Sequence, residues 1–394
     1  MLEKAKMIYL DNAATTLMDP EIISSLQGYM QDHFANSGAV YEIGLDAKKK
    51  IEEATESIRD SLGIPNTHNL VYTSGGTESN NLFIKGLCSP DKKAAYLGLE
   101  HPSVTETLQS FKKYENEPFS LLEFFKEGNL DYSCLALLKE KKIRLLCLSH
   151  INNELGTIID SVSLIRHLEK EAPQTRLFLD GVQAIGKIKF GKPMWSGLAG
   201  FSLSAHKFHG PKGIGLLIYD SRLNLNPQMH GGKQQFGLRA GTLSVPLIFS
   251  LADSIKLAVA RQQDTQNRLQ ELQNYFLQGL KKLNKPVLLN SFSGGGQSAG
   301  IVNFSFPPVE GEVMLHHLEK DKIYVGLGSA CSAHSKQPSK ILTGIGLSNE
   351  QARCSLRISF SRNNTIAEIE KFLSAFSENY DKLLPTFTKR AVYK

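Results

Sequence analysis

The 394-residue sequence has a single tryptophan, only five cysteines and no apolar run of the ~18–20 residues that cross a bilayer. Its start carries no apolar signal core, so no membrane partner is expected and the natural compartment is a reducing cytoplasm. Cys88, Cys134, Cys147, Cys331 and Cys354 are odd in number, widely spaced and free of any Cys-x-x-Cys pair. That argues against a disulfide framework or a zinc site. No His-x-x-x-His pair or carboxylate cluster has ligand spacing, so no metal site is expected either. Basic runs such as Lys48-Lys49-Lys50 sit beside acidic residues and lack interleaved aromatics, which excludes a nucleic-acid partner.

What is present suits a globular protein: 41% hydrophobic residues, 21% charged residues and a formal charge of +6 spread along the chain. The length allows roughly two to three folding units of about 150 residues each. Short β-rich apolar runs at 70–73, 94–99, 144–149, 176–179, 200–203 and 214–219 alternate with helical patterns at 77–87, 103–114 and 162–171. Such alternation predicts a mostly parallel sheet covered on both faces, with ligands collecting beyond the carboxyl ends of the strands. A long helical pattern follows at 246–283. Beyond a glycine-rich stretch at 293–296 come strands near 301–306 and 355–360. A last helix has its apolar stripe at Ile366, Ile369, Phe372, Leu373, Phe376 and Tyr380, with Thr365 and Glu368 as its capping box.

Three motifs follow successive strands. Thr73-Ser74-Gly75-Gly76-Thr77-Glu78-Ser79 opens a helix, where glycines admit an anion and unpaired N–H groups favour it. A plain strand-to-helix turn uses the same residues, and no Gly-Lys-Ser/Thr follows as in a P-loop. Asp180, ending the run Leu179-Asp180-Gly181-Val182-Gln183, either caps the next segment or holds a protonated ring nitrogen. Lys207, within Ser204-Ala205-His206-Lys207-Phe208-His209-Gly210, is flanked by apolar and small residues. Desolvation there lowers an amine's pKa and suits a Schiff base. A phosphate cradle, a ring-nitrogen partner and an amine lining one crevice together specify pyridoxal 5′-phosphate. A fourth motif, Gly326-Leu327-Gly328-Ser329-Ala330-Cys331-Ser332, reads as a loop in which small neighbours leave a nucleophilic thiol exposed, while the other four cysteines read as buried.

These residues resemble the cysteine desulfurases, a group of the class-V aminotransferase-like, fold-type I pyridoxal-phosphate enzymes. The resemblance spans nearly the whole chain. It rests on Tyr9 to Thr16, Ser74 to Asn81, Glu100-His101, His150 to Glu154, Asp180 to Gln183, Ser204 to Gly213, Arg239 to Thr242, Gly328 to Ser332 and Leu356 to Ser359. The Ser-Ala-Cys-Ser form resembles the housekeeping branch that serves iron–sulfur clusters and tRNA thiolation. The implied fold is α/β: a large domain with a mostly parallel seven-stranded sheet (15–260) and a smaller α+β domain built from 1–14 and 261–394.

The resemblance also implies roles. Lys207 holds the cofactor and moves the substrate's Cα proton, and Asp180 pairs with the ring nitrogen. Gln183 and Asn153 bond the ring oxygen O3′, and His101 stacks on the ring and transfers protons. Gly76, Thr77, Ser204 and His206 hold the phosphate, with Thr242 reaching from the second subunit of a homodimer. Arg357, with Asn36 and Asn153, grips the substrate carboxylate. Cys331 takes sulfur from L-cysteine as a persulfide, L-alanine leaves, and an iron–sulfur scaffold or sulfur-carrier protein accepts the sulfur. Transient iron–sulfur ligation by Cys331 stays open. So do a related lyase (selenocysteine included), a transaminase, or a scaffold protein without turnover.

Two departures from the family pattern stand out. A histidine is usual where Tyr41 sits, and a Glu-Arg pair where Gln235-Phe236 falls.

Overall fold

The computed structural model describes residues 7–88, 93–111, 118–292, 299–327 and 337–392. Among them the strands are β1 (Ile8–Leu10), β2 (His68–Thr73), β3 (Ala94–Tyr96), β4 (Phe119–Ser120), β5 (Phe125–Lys126), β6 (Asn129–Leu130), β7 (Leu145–Ser149), β8 (Arg176–Asp180), β9 (Leu198–Ser204), β10 (Gly215–Asp220), β11 (Leu288–Leu289), β12 (Ile301–Ser305), β13 (Ile323–Val325) and β14 (Ser355–Ser359).

Seven strands form one sheet in the order β2-β10-β9-β8-β7-β3-β4. Only β10 runs antiparallel to its neighbours, β2 and β9; the rest pair in parallel. The apolar runs are continuous because both faces are covered. Leu177 and Leu179 of β8 join one core with Ala47, Ile51 and Ile58 of the Glu42–Leu62 helix and Ile248 and Ile255 of the Val245–Ala260 helix. Phe178, between them, points to the other face and packs with Phe83 of the Gly76–Leu87 helix and Val104 of the Pro102–Gln109 helix. The seven-stranded, mostly parallel α/β architecture is therefore the observed one.

A second core unites Ile8 and Leu10 with residues from 269 onward, among them Phe276, Phe304, Ile358, Phe372 and Phe376. Here β11, β12 and β14 form an antiparallel sheet, and β1 pairs with β13. Thr365 and Glu368 make both bonds of the expected capping box.

Three elements differ from expectation. The strand expected at 94–99 stops at Tyr96. The buried Glu100 carboxylate takes the Leu97 and Gly98 N–H groups, which turns the chain off the ladder. The helix expected at 103–114 ends at Gln109, and residues 112–117 lie outside those described. The pattern at 246–283 is two helices, Val245–Ala260 and Gln262–Lys282, broken where the Arg261 guanidinium pairs with Asp19 and Glu21. No glycine or proline marks that break, so periodicity runs through it unnoticed.

Candidate active site

Asp180 ends β8, and the Gly181 that follows is required by packing: a Cβ there would overlap the Phe201 ring. The Asp180 carboxylate is buried and fixed on both oxygens. Oδ2 accepts from Asn80 Nδ2 at 2.8 Å and Oδ1 from the Val182 N–H at 3.1 Å. Asn80 is itself oriented by Ser202, whose hydroxyl donates to Asn80 Oδ1 at 2.6 Å, and its amide also donates to Ser103.

The Ser74–Thr77 turn opens the Gly76–Leu87 helix beside that strand end. Gly76 sits so close to Val182 that a Cβ would overlap a valine methyl, and a Cβ on Gly75 would lie 3.5 Å from Ser204 Oγ. Thr77 is exposed at the start of the helix, and Ser204 is buried. The cradle, the Asp180 turn and Ser204 therefore adjoin.

Lys207 closes the one-turn helix Ala205–Lys207 after β9, and its Nζ donates to the carbonyls of Ala13 and Ala14, both at 2.7 Å. The N-terminal motif pins this turn further. Thr16 bonds the His206 carbonyl and the His209 N–H, and Thr15 Oγ1 lies 3.1 Å from His206 Nδ1. Burial, with Lys207 and Lys212 nearby, pushes the His206 imidazole down to about 4.

His101 caps the Pro102–Gln109 helix through the Ser103 N–H. Burial lowers its pKa, while Asp180 pulls it up and Lys207 pushes it down, so the three groups share one field.

Arg357 lies on β14 and is 1% exposed. Nη2 pairs with Asp11 Oδ1 at 2.7 Å and Nη1 donates to the Asn153 carbonyl at 3.0 Å, while Nε has no partner among the described residues. Gln183 donates to the Ala13 carbonyl at 2.8 Å. Asn36 is exposed, bonds the Gly38 N–H and makes no hydrogen bond to Arg357 or Asn153. Thr242 is exposed three residues after Arg239, which pairs with Glu78 of the same chain at 2.9 Å.

Cys331 and the glycine-rich stretch at 293–296 lie outside the described residues. Both described flanks of the cysteine segment nonetheless meet the site. Gly326 exchanges backbone hydrogen bonds with Arg357, and the Ser339 hydroxyl donates to the buried Glu154 carboxylate at 2.6 Å. The other four cysteines are buried, and desolvation pushes the thiols of Cys134 to about 11 and Cys354 to about 12.

Sequence reasoning missed Asn80, the Ala13 and Ala14 carbonyls and Asp11 as groups adjoining these residues. Backbone acceptors leave no signature in residue type, and Asn80 had no role assigned within its motif. The departure at Gln235 has a structural account: its amide takes both the N–H and the carbonyl of Tyr72, closing the open edge of β2. Phe236 beside it is exposed, with φ of 62°. Tyr41 is an exposed residue at the start of the Glu42–Leu62 helix.

Residues 8–372 match the family "Aminotransferase class-V". A protein of Dictyoglomus turgidum named "Cysteine desulfurase IscS" is 34% identical over 382 residues, covering 95% of each chain. One of the same name from Methanosarcina thermophila is 33% identical, over 96% of this chain and 93% of its own. Among solved structures, a NifS-like protein superposes with a TM-score of 0.86 at 27% identity, covering 96% of this chain and all of its own. A NifS-like protein from Rickettsia africae gives 0.84 at 27% identity, over 95% of this chain and all of its own.

Proposed function

Since the chain belongs to the class-V aminotransferase family, among its cysteine desulfurases, we propose that it takes sulfur from L-cysteine with pyridoxal 5′-phosphate held on Lys207. One observation carries this reading: the Asp180 carboxylate at the end of β8, held on both oxygens, adjoins the Gly75-Gly76 turn and Ser204, three residues before Lys207.

The residues fit the cofactor. Gly75 and Gly76 leave room that side chains would fill, against Ser204 and Val182. A carboxylate held on both oxygens suits a protonated ring nitrogen, and Lys207, closing the turn after β9, offers the primary amine that a Schiff base needs. Gly76, Thr77, Ser204 and His206 would hold the phosphate, with Thr242 of a second copy. Gln183 and Asn153 would meet O3′. When bound, the cofactor supplies the electron sink that loosens bonds at the substrate's Cα and Cβ.

The protein's own groups do the rest. Arg357, together with Asn153 and Asn36, receives the substrate carboxylate, and its Nε, without a partner among the described residues, is a donor suited to that anion. Lys207 Nζ moves the Cα proton, and the His101 imidazole accepts or returns a proton. The Cys331 thiolate attacks the substrate sulfur. The Cβ–S bond breaks, a persulfide forms on Cys331 and L-alanine leaves. A cytoplasmic homodimer passing the sulfur to an iron–sulfur scaffold or carrier protein completes the proposal, and no described helix is long and apolar enough to cross a membrane.

Cys331→Ala tests the sulfur route. The variant should keep the cofactor's absorbance and lose sulfur transfer. Sulfide release at the normal rate would overturn the persulfide step.

A further inference from the structure

Lys187 is a second buried lysine beside Lys207. Its Nζ donates to Gln183 Oε1 at 3.0 Å, Gln183 Nε2 donates to the Ala13 carbonyl at 2.8 Å, and the same carbonyl accepts from Lys207 Nζ at 2.7 Å. A continuous hydrogen-bonded path thus joins the two amines. Both also line a cavity of about 30 Å³, room for one or two waters, with Asn12, Thr16, His209 and Arg362 on its wall.

The charges around Lys187 are mostly of its own sign: Lys207, Arg357 and Arg362, with His209 nearby. Of the acids at the site, Asp11 is engaged by Arg357, and Asp19 by Arg362 and Arg261. Lys187 makes no ion pair among the described residues. Burial, then Lys207 and Arg357, hold its pKa down at about 7. A lysine retained in such a place needs a reason beyond solubility.

We propose that Lys187 is a positioning residue for the cofactor, fixing the Gln183 amide so that it presents N–H donors, and never its oxygen, toward the ring oxygen O3′. The inference rests on the reading that Lys207 and Gln183 hold pyridoxal phosphate. An ammonium carries donors only, so it locks Oε1 on its own side, and a flipped amide would set donor against donor. A bound anionic cofactor favours the charged form of Lys187 and tightens the lock. A donor at O3′ and a nearby positive charge act in the same direction, since both make the cofactor-linked Lys207 nitrogen release its proton more readily.

The test is the midpoint pH of the colour change of the bound cofactor, measured in the full-length holoenzyme. Lys187→Met should raise it by about one pH unit, a tenfold change in acid dissociation. Lys187→Arg, which keeps charge and donors, should stay near wild type. Lys187→Gln keeps a polar side chain in the cavity and covers failure of the Met variant to fold; it should shift the midpoint the same way. Unchanged midpoints in the neutral variants, or an equal shift in the Arg variant, would overturn the proposal. If wild type itself binds no cofactor, the functional reading fails instead, so the two failures are distinguishable.

Discussion

Asp11 and Arg357 stand 346 residues apart in the sequence, and Asp11 Oδ1 lies 2.7 Å from Arg357 Nη2. The pair ties the first strand's end to β14 and charges the site wall with a guanidinium whose Nε is open among the described residues. Gly326 makes this possible, because a Cβ there would sit 2.6 Å from the Asp11 carboxylate and 2.9 Å from Nε.

Arg357→Lys should therefore raise KM for cysteine more than it lowers kcat. Losing a fixed guanidinium fork costs roughly 1.5–3 kcal/mol, or about 10- to 150-fold in affinity. Steady-state kinetics with the cofactor fully bound checks this; an unchanged KM would remove Arg357 from the carboxylate site.

Glu154 predicts a pH dependence of stability. Burial raises its pKa from the ordinary 4.5 to about 7, opposed by the Ser339 hydroxyl and Arg357. The folded form thus holds a proton that the unfolded chain has released. Stability falls as pH rises from about 4.5 to 7, and levels off above. Glu154→Gln keeps an oxygen for Ser339 and should flatten that part of the Tm–pH curve relative to wild type.

Gly181→Ala should destabilise the protein by roughly 1–3 kcal/mol, since the added methyl meets the Phe201 ring. The same strain acts on Asp180 next door, so cofactor retention should drop along with Tm. Thermal melts with and without added cofactor separate the two effects.

The proposed homodimer has a candidate face. Phe34, Val40, Ile43 and Leu45, around the start of the Glu42–Leu62 helix, are all more than half exposed in the single chain. Clustered apolar exposure of this kind marks an association surface. A Val40→Asp, Leu45→Asp double variant should sediment as one copy where wild type sediments as two.

The sheet was legible because strands buried on both faces read as plain apolar runs, and the Asp180 and Lys207 motifs follow such runs directly. The break at Arg261 was not legible, because it is made by ion pairs to distant Asp19 and Glu21. Nor were the Ala13 and Ala14 carbonyls, which act through backbone position alone. Lys187 reads in sequence as an ordinary lysine, and only the fold shows it buried beside Gln183. Asn36, assigned to the carboxylate site by the resemblance alone, accepts the Gly38 N–H on its Oδ1, a local turn that residue type did not announce.

The most direct test of the account is an absorbance spectrum of the purified protein before and after L-cysteine is added, with alanine and sulfide assayed together under reductant. A near-visible band that shifts with cysteine, and alanine and sulfide formed in equal amounts, is the predicted result. A band indifferent to cysteine would contradict the desulfurase assignment, and no band even after adding pyridoxal phosphate would contradict the role given to Lys207.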